Sequence, residues 1–595
     1  MTDRHKISVA DYVLTRLVEL QVEHVFGIAA TSCADLFIAI DRRSDIEAVV
    51  TASELEAGYA VDGYARKRGF GVCAVAYGVG TLSLINAVAG CLVEKVPMLV
   101  LNGGPTQEEV NLQGRYGVLF THATGRPETD RKTFAEVCVS AHILRPDEDI
   151  GAAIDRALVD ARDQFGPAYL EVPHDMWDLE IPAPLEALPP RRAPVASARF
   201  QAFLDAALRQ AAAAERPAFL LGVELVRSGL AKQALEMIEH AGYPFATTVL
   251  SKSMLPEDHP QFAGTYDTDL VTKPVRGLLE QSDCFIALGC IYGIDHLGLL
   301  KKQYDHMVHV SFGDGRLGAE KYADIDVGLF VEGFRPPKAN GLERRAAAQC
   351  PDTFAERRAL WAPSREPDAG ALGHEGLFEA VDLFLRDSES DFVTVLDTCL
   401  GSFPGADLVM RSQDAYIANP VWLSIGHSTP AAIGSYLADK RRPLVITGDG
   451  GFQMVVQCIS TMVKHSIPGI VIIIDNASYA IEQYLVDSCF FVRPQYPMAE
   501  FARVSNWNYE NMPRFFGGGH GVKVSTEADL SKALTDAEAY VDGPFIISAQ
   551  VPSDDLPPEN LPWAQEQCPP AGSSLEAQAA SKGQPSPSRW ARRQR

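Results

Sequence analysis

Short unbroken apolar runs alternate with longer mixed segments along almost the whole chain. His24–Ile28 (HVFGI), Cys73–Gly78 (CAVAYG), Met98–Gly103 (MLVLNG) and Ala168–Pro173 (AYLEVP) predict strands covered on both faces, as in parallel sheets. Ser53–Gly69 and Leu82–Lys95 lie between them and predict helices, which makes residues 1–185 one α/β unit. The Pro-, Ala- and Arg-rich stretch Ile181–Ala198 ends regular structure, so 186–198 is expected to be a linker. A second unit over 199–350 carries the runs Ala218–Val223, Pro244–Val249, Cys284–Gly289 and Met307–Phe312, and a charged Ala/Arg stretch follows to about residue 368. A third unit, 369–560, contains Asp391–Asp397, Leu444–Gly450 and Gly469–Asn476 as strands, with helices at Thr429–Asp439 and Met454–His465. Residues 564–595 are rich in Ala, Gln, Ser and Pro and end in SRWARRQR, the composition of a disordered tail. The expected fold class is α/β, with three consecutive doubly wound parallel-sheet domains.

Composition narrows the partners. A chain of 595 residues at 47% hydrophobic and 22% charged has ample length for several cores. Its formal net charge of -24 argues against nucleic acid or an anionic membrane as a partner, because phosphate attracts a basic face. No run of about 18 uncharged apolar residues occurs, so no membrane span is expected. The start, MTDRHKISVADYVL, lacks the apolar core of a signal peptide. The 11 cysteines contain no CxxC pair and sit in apolar runs, which reads as small buried hydrophobes in a reducing compartment and not as a disulfide frame or zinc site. A cytoplasmic protein is expected.

The candidate chemistry lies at two strand ends. Gly448-Asp449-Gly450-Gly451 follows the run LVIT, and Asp475-Asn476 ends the run VIII after 24 intervening residues. Open parallel sheets bind ligands beyond the carboxyl ends of their strands. Glycines beside Asp449 let backbone N–H groups approach an anion, and a helix starting there favours phosphate. Two oxygen donors from neighbouring strands suit a hard cation such as Mg²⁺, which is commonly shared with a diphosphate. No GxxxxGK[ST] loop is present, and Tyr77-Gly78-Val79-Gly80 does not complete a dinucleotide fingerprint.

These motifs resemble those of the thiamine-diphosphate enzymes. GDG, 24 residues, then DN is similar to their diphosphate and Mg²⁺ motif; Ser53–Arg66 with Ala76–Gly90 resembles their pyrimidine domain, and Thr247–Tyr266 their central domain. The resemblance spans about residues 5–555, and NASYAIEQ (Asn476–Gln483) is most similar to the pyruvate and indolepyruvate decarboxylases, which act on 2-oxo acids. It implies thiamine diphosphate and Mg²⁺ as cofactors, with Asp449, Asn476 and the backbone carbonyl of Ser478 as metal ligands. It makes 1–185 the pyrimidine-binding domain and 369–560 the diphosphate-binding domain. Glu54 matches the carboxylate that bonds the aminopyrimidine and promotes loss of the thiazolium proton. Ile425 matches the apolar wedge under the cofactor, Leu423 a backbone carbonyl for its amino group, and Thr398 a pyrimidine contact. Gly448, Gly450, Gly451, Tyr479 and Ile481 complete the expected cofactor-binding set. Glu482 resembles a second catalytic carboxylate that acetolactate synthases lack. Phe403, Ala480 and Gln483 fall near the expected substrate pocket. The resemblance also implies a homodimer or homotetramer, with Glu54 of one chain serving the cofactor held by another.

Two positions depart from the pattern. Thr31 stands where the decarboxylases carry an acid after their FG-x-PG turn, and Thr121-His122 replaces His-His, leaving His122 alone as the third catalytic candidate. The missing groups protonate the decarboxylated adduct and release aldehyde. The leading expectation is non-oxidative decarboxylation of a 2-oxo acid to an aldehyde. The alternative is a carboligase that joins the decarboxylated fragment to a second carbonyl. A cofactor-binding scaffold without turnover and an FAD-containing acetolactate synthase are the remaining classes.

Overall fold

The computed structural model describes residues 5–271, 273–338 and 370–568. By compactness these form two units. One holds the chain up to Ala193 with His427–Pro443 and Val455–Ile467; the other holds Pro194–Gly426, Leu444–Met454 and the chain from Pro468 on.

The first unit is built on six parallel strands in the spatial order Glu47–Val50, His24–Gly27, Gly71–Ala76, Met98–Gly104, Pro167–Pro173, Ser140–Ile143. Its inner strands are buried almost throughout, as the unbroken apolar runs require. The helix Glu54–Arg68 is capped by Ser53, whose Oγ accepts the Glu56 N–H at 3.2 Å, and it ends at Gly69 with φ 85°. Helix Ser428–Asp439 lies against it at backbone contact. A Cβ on Gly63 would strike the Ala431 carbonyl oxygen, and one on Gly434 the Ala60 carbonyl oxygen, so glycine is required at both crossing points. Under this crossing, buried Arg66 pairs with Asp62 and with Glu94 (2.6 Å), and Asp62 also meets His427 (2.9 Å).

The second unit contains two sheets. The sheet of the diphosphate-type segment runs Tyr416–Ala418, Phe392–Leu396, Arg442–Gly448, Ile470–Asp475, Phe545–Gln550, His520–Val524. Numbered within each sheet, its order matches that of the first unit's sheet, a topological duplication. The order reverses between Phe392–Leu396 and Arg442–Gly448, which places a crevice at their carboxyl ends.

The central sheet is mixed, a parallel core extended by an antiparallel end. Its seven strands run Phe262–Tyr266, Phe245–Thr248, Pro217–Leu221, Cys284–Leu288, Met307–Ser311, Gly313–Leu317, Glu320–Ile325; five are parallel and the last two turn back antiparallel. The reason is local. Phe312 (φ 47°) and Gly313 (φ 87°), then Gly318 (φ 53°), make turns too short for a parallel crossover.

Two expectations are corrected. The tail does not lose order at Ala564: Leu561–Gln567 is a helix, Ala564 is fully buried beside Tyr484, Phe491 and Leu556, and Trp563 packs on Tyr484 at 4.6 Å. Its composition is poor in apolar residues, but Leu561, Trp563 and Ala564 find a cluster already formed by the helix that follows Asn476. The rest of the expected tail, 569–595, and the end of the expected central domain, 339–350, lie outside the described residues. Cys489 and Cys568 form a disulfide, although no spacing marks them as a pair. The eight free cysteines among the described residues behave as anticipated, seven of them buried.

Candidate functional site

The crevice at the switch point holds a narrow cleft of about 30 Å3. It is lined by Thr398 and Ile425, by Gly448–Gly451, and by Asn476, Ser478, Tyr479 and Ile481. Four separate segments thus bring these sequence-selected residues to one place. Parallel pairing of Arg442–Gly448 with Ile470–Asp475 ends both strands at the same level, Gly448 opposite Ile474, which sets Asp449 beside Asn476.

Asp449 is 1% exposed. Its Oδ1 accepts the Gly450 N–H at 2.7 Å and its Oδ2 the Ala477 N–H at 2.6 Å. Burial pushes its carboxyl up to about 7, opposed by these N–H donors and by that of Asn476. Asn476 is also buried, and its Oδ1 accepts the Ser478 N–H at 3.1 Å. Ala477, at φ 53°, reverses the chain between them. Ser478 pairs with Arg503 across an isolated antiparallel bridge whose bonds are Tyr479 N–H to Ala502 O and Val504 N–H to Ala477 O. In such a non-hydrogen-bonded pair the residue's own carbonyl points away from its partner strand. The Ser478 carbonyl is therefore free to face the side opposite Arg503.

This arrangement fits a cation and a diphosphate. A buried carboxylate with a raised pKa lacks a counter-charge, and carboxylate, amide and backbone oxygens are the donor types Mg²⁺ prefers. A Cβ on Gly450 would strike the Tyr479 ring, and one on Gly451 would press on Asp397 and Thr447 at 3.1 and 3.3 Å. Ser478 Oγ is buried with no partner in the cleft wall.

Sequence reasoning missed Asp397, a 2%-exposed carboxylate that accepts the Gly426 and Thr398 N–H groups at 3.0 and 2.8 Å and the Thr447 hydroxyl at 2.8 Å. It ties together the loops carrying Thr398, Ile425 and Gly448. Also missed were the lining residues His374, Cys399, Leu400, Gly401 and Ile474. Asp397 was legible as an acid ending the run FVTVL; no motif marked His374.

Four expected positions of this unit stand apart from the lining. Glu482 is exposed, in the first turn of helix Ala480–Val486, next to the lining residue Ile481. Leu423 is 47% exposed with φ 57°, an unusual backbone state for a leucine, and its N–H is held by the Asn419 carbonyl. Gln483 is fully buried and spends its amide on the Asp487 carbonyl and the Ala499 N–H, so it faces the core and not a pocket. Ala480 does line the cleft, whereas Phe403 belongs to the cluster beneath Tyr484.

Glu54 and His122 lie in the other unit. Glu54 opens its helix, half-buried, with Oε1 beside Gly80 at the start of helix Val79–Val93. Its neighbour Glu56 is fully buried; Oε2 accepts the Ala52 N–H at 3.0 Å and Oε1 has no partner. Burial pushes Glu56 up to about 7, against hydrogen bonds from Thr461, Ala52 and Ser53. Glu56 thus closes the turn that presents Glu54. Its folded pKa exceeds the unfolded 4.5. The stability it contributes is fully present below pH 4.5 and lost as pH rises through about 7. Glu56→Gln is expected to gain roughly 2 kcal/mol on the wild type between pH 5 and pH 8 in urea unfolding. Parallel pH profiles would contradict it.

His122 is exposed at φ 64° and packs on Tyr77 at 5.7 Å. Gly78 (φ 68°) has no space for a Cβ because the His122 carbonyl lies over it, so the Tyr77-Gly78 turn exists to seat this loop. The loop borders a cavity of about 360 Å3 that also holds Glu171, whose carboxyl burial pushes up to about 7. Thr31 is exposed at the start of a short 3-10 turn.

Comparison with known proteins agrees with this geometry. The chain matches the N-terminal TPP binding domain of thiamine pyrophosphate enzymes over residues 7–129, their central domain over 204–331 and their C-terminal TPP binding domain over 401–549. It belongs to the thiamine-diphosphate-dependent enzymes, in the family of the 2-oxo acid decarboxylases. It is 27% identical over 580 residues to a pyruvate decarboxylase of Neurospora crassa, covering 94% of this chain and 95% of that one. It is 28% identical over 580 residues to pyruvate decarboxylase 1 of Pisum sativum (93% and 92% covered), and 27% over 561 residues to an alpha-keto-acid decarboxylase of Mycolicibacterium paratuberculosis (92% and 95%).

Proposed function

We propose that this chain is a lyase that decarboxylates a 2-oxo acid to an aldehyde with thiamine diphosphate and Mg²⁺. The observation that carries the reading is Asp449: a buried carboxylate, raised to about 7, braced by two backbone N–H groups beside the Asn476 amide at a switch-point cleft. Asp449, Asn476 and the Ser478 carbonyl would hold Mg²⁺. Gly448, Gly450, Gly451, Thr398, Ile425, Tyr479 and Ile481 would hold the cofactor, and Leu423 would offer its carbonyl. Thiamine diphosphate, when bound, supplies the electron sink that lets carboxylate leave as CO₂. Glu54 would accept and donate a proton at the aminopyrimidine ring, while His122 and the exposed Glu482 would handle protons at the substrate end.

Thr31 and Thr121 favour a second reading, carboligation, because they lack the proton donors that end the reaction at aldehyde. Product analysis with a 2-oxo acid and acetaldehyde separates the two. Matching aldehyde in step with CO₂ supports decarboxylation; a hydroxyketone with little aldehyde supports ligation.

The assembly follows from Glu54. A homodimer or homotetramer in which Glu54 serves a neighbouring chain's cofactor predicts no turnover by monomer, and an active monomer in nanomolar sedimentation would refute it. Among the described residues no helix is long and apolar enough to cross a membrane. The buried free thiols among the described residues support residence in the cytoplasm, a reducing compartment, whereas the Cys489–Cys568 disulfide does not. The net charge of -24 supports small-molecule chemistry over nucleic acid.

A further inference from the structure

The cleft contains one side chain that the motifs do not account for. His374 begins helix His374–Asp387, which precedes strand Phe392–Leu396. A helix leading into a strand of a parallel sheet runs antiparallel to it, so its first turn lies at the strands' carboxyl edge, with Asp449 and Asn476. The imidazole is 1% exposed and lines the cleft. Asp555 holds it in place: Oδ2 receives both the His374 backbone N–H and Nδ1, each at 2.7 Å. With Nδ1 engaged, Nε2 remains, and it is buried without a partner. The lining includes no lysine or arginine; His374 is the one described lining side chain able to carry positive charge.

We propose that His374 binds the cofactor's diphosphate as an imidazolium, with Nδ1–H held by the Asp555 carboxylate and Nε2–H donated to a phosphoryl oxygen. Three features converge on an anion here. The helix of 14 residues directs its positive end to the cleft, a buried Nε2 lacks a partner, and a diphosphate brings more negative charge than one Mg²⁺ cancels. Asp555 would be a positioning residue: it fixes the ring, caps the helix, and leaves a single nitrogen for the ligand.

The inference rests on reading the Gly448–Ile481 loops as the diphosphate site, and the test separates the two. Apo protein is titrated by calorimetry with thiamine diphosphate and with inorganic pyrophosphate, each with Mg²⁺, and with thiamine, which has no phosphate. His374→Ala should weaken the two diphosphate ligands by about tenfold or more and leave thiamine unchanged. His374→Gln, a neutral donor of similar reach, should recover part of the loss and guards against a folding defect in the alanine variant. Unchanged diphosphate affinity in both variants would overturn the proposal. An equal loss for thiamine would also overturn it, since packing and not phosphate contact would then be the cause. If the wild type itself failed to bind either diphosphate, the reading of the site would fail, and the proposal with it.

Discussion

Glu54→Gln is expected to lower kcat by about 10²–10⁴ while leaving the affinity for thiamine diphosphate within a few-fold. The carboxylate opens a helix whose first turn is closed without it, by Ser53 Oγ on the Glu56 N–H and Glu56 Oε2 on the Ala52 N–H, so the amide fits without disturbing the turn. Glu54 itself makes no bond that the helix needs. Its half-buried position beside Gly80 leaves it free to meet a ligand. Only proton transfer distinguishes the two side chains, which is why turnover and not binding should suffer. Stopped turnover together with lost binding would point to a structural role. Unchanged turnover would contradict the role assigned to Glu54.

Asp449→Ala is expected to lose the Mg²⁺-dependent binding of thiamine diphosphate by at least about a hundredfold. The change removes a charged ligand and also the acceptor of the Gly450 and Ala477 N–H groups, leaving two buried donors unpaired. Asp449→Asn separates these effects. It can keep one of the N–H contacts but removes the charge, so Mg²⁺ affinity should fall with far less loss of melting temperature than in the alanine variant. Equilibrium dialysis of the metal and thermal unfolding of the apo proteins measure the two quantities. Full Mg²⁺ affinity in Asp449→Asn would contradict the assignment.

The part of this site that was legible in the sequence is the part made by backbone. Asp449 and Asn476 could be paired because apolar runs mark where parallel strands end, and parallel strands end level. Gly450 and Gly451 were legible because only glycine tolerates such close approach. What escaped depends on which way a side chain points. Glu482 and Gln483 are adjacent on one helix, yet the structure exposes the first and buries the second, contrary to the pocket position expected for Gln483. His374 reaches the cleft only because its helix leads into the first strand of the sheet, a relation that no local pattern records. The antiparallel end of the central sheet turned on single residues in left-handed conformations, Phe312 and Gly313. The helix Leu561–Gln567 was missed because its few apolar residues are sufficient only against a cluster supplied from 80 residues earlier in the chain, about the spacing of the Cys489–Cys568 pair (79).

The central claim is thiamine-diphosphate-dependent release of CO₂ from a 2-oxo acid, and CO₂ evolution measures it directly. The protein is supplied with a panel of aliphatic, branched and aromatic 2-oxo acids, with and without thiamine diphosphate and Mg²⁺. The account predicts CO₂ from at least one acid only when both are present, and loss of that signal in Glu54→Gln. Background release from every acid, by protein shown to have bound the cofactor, would contradict it.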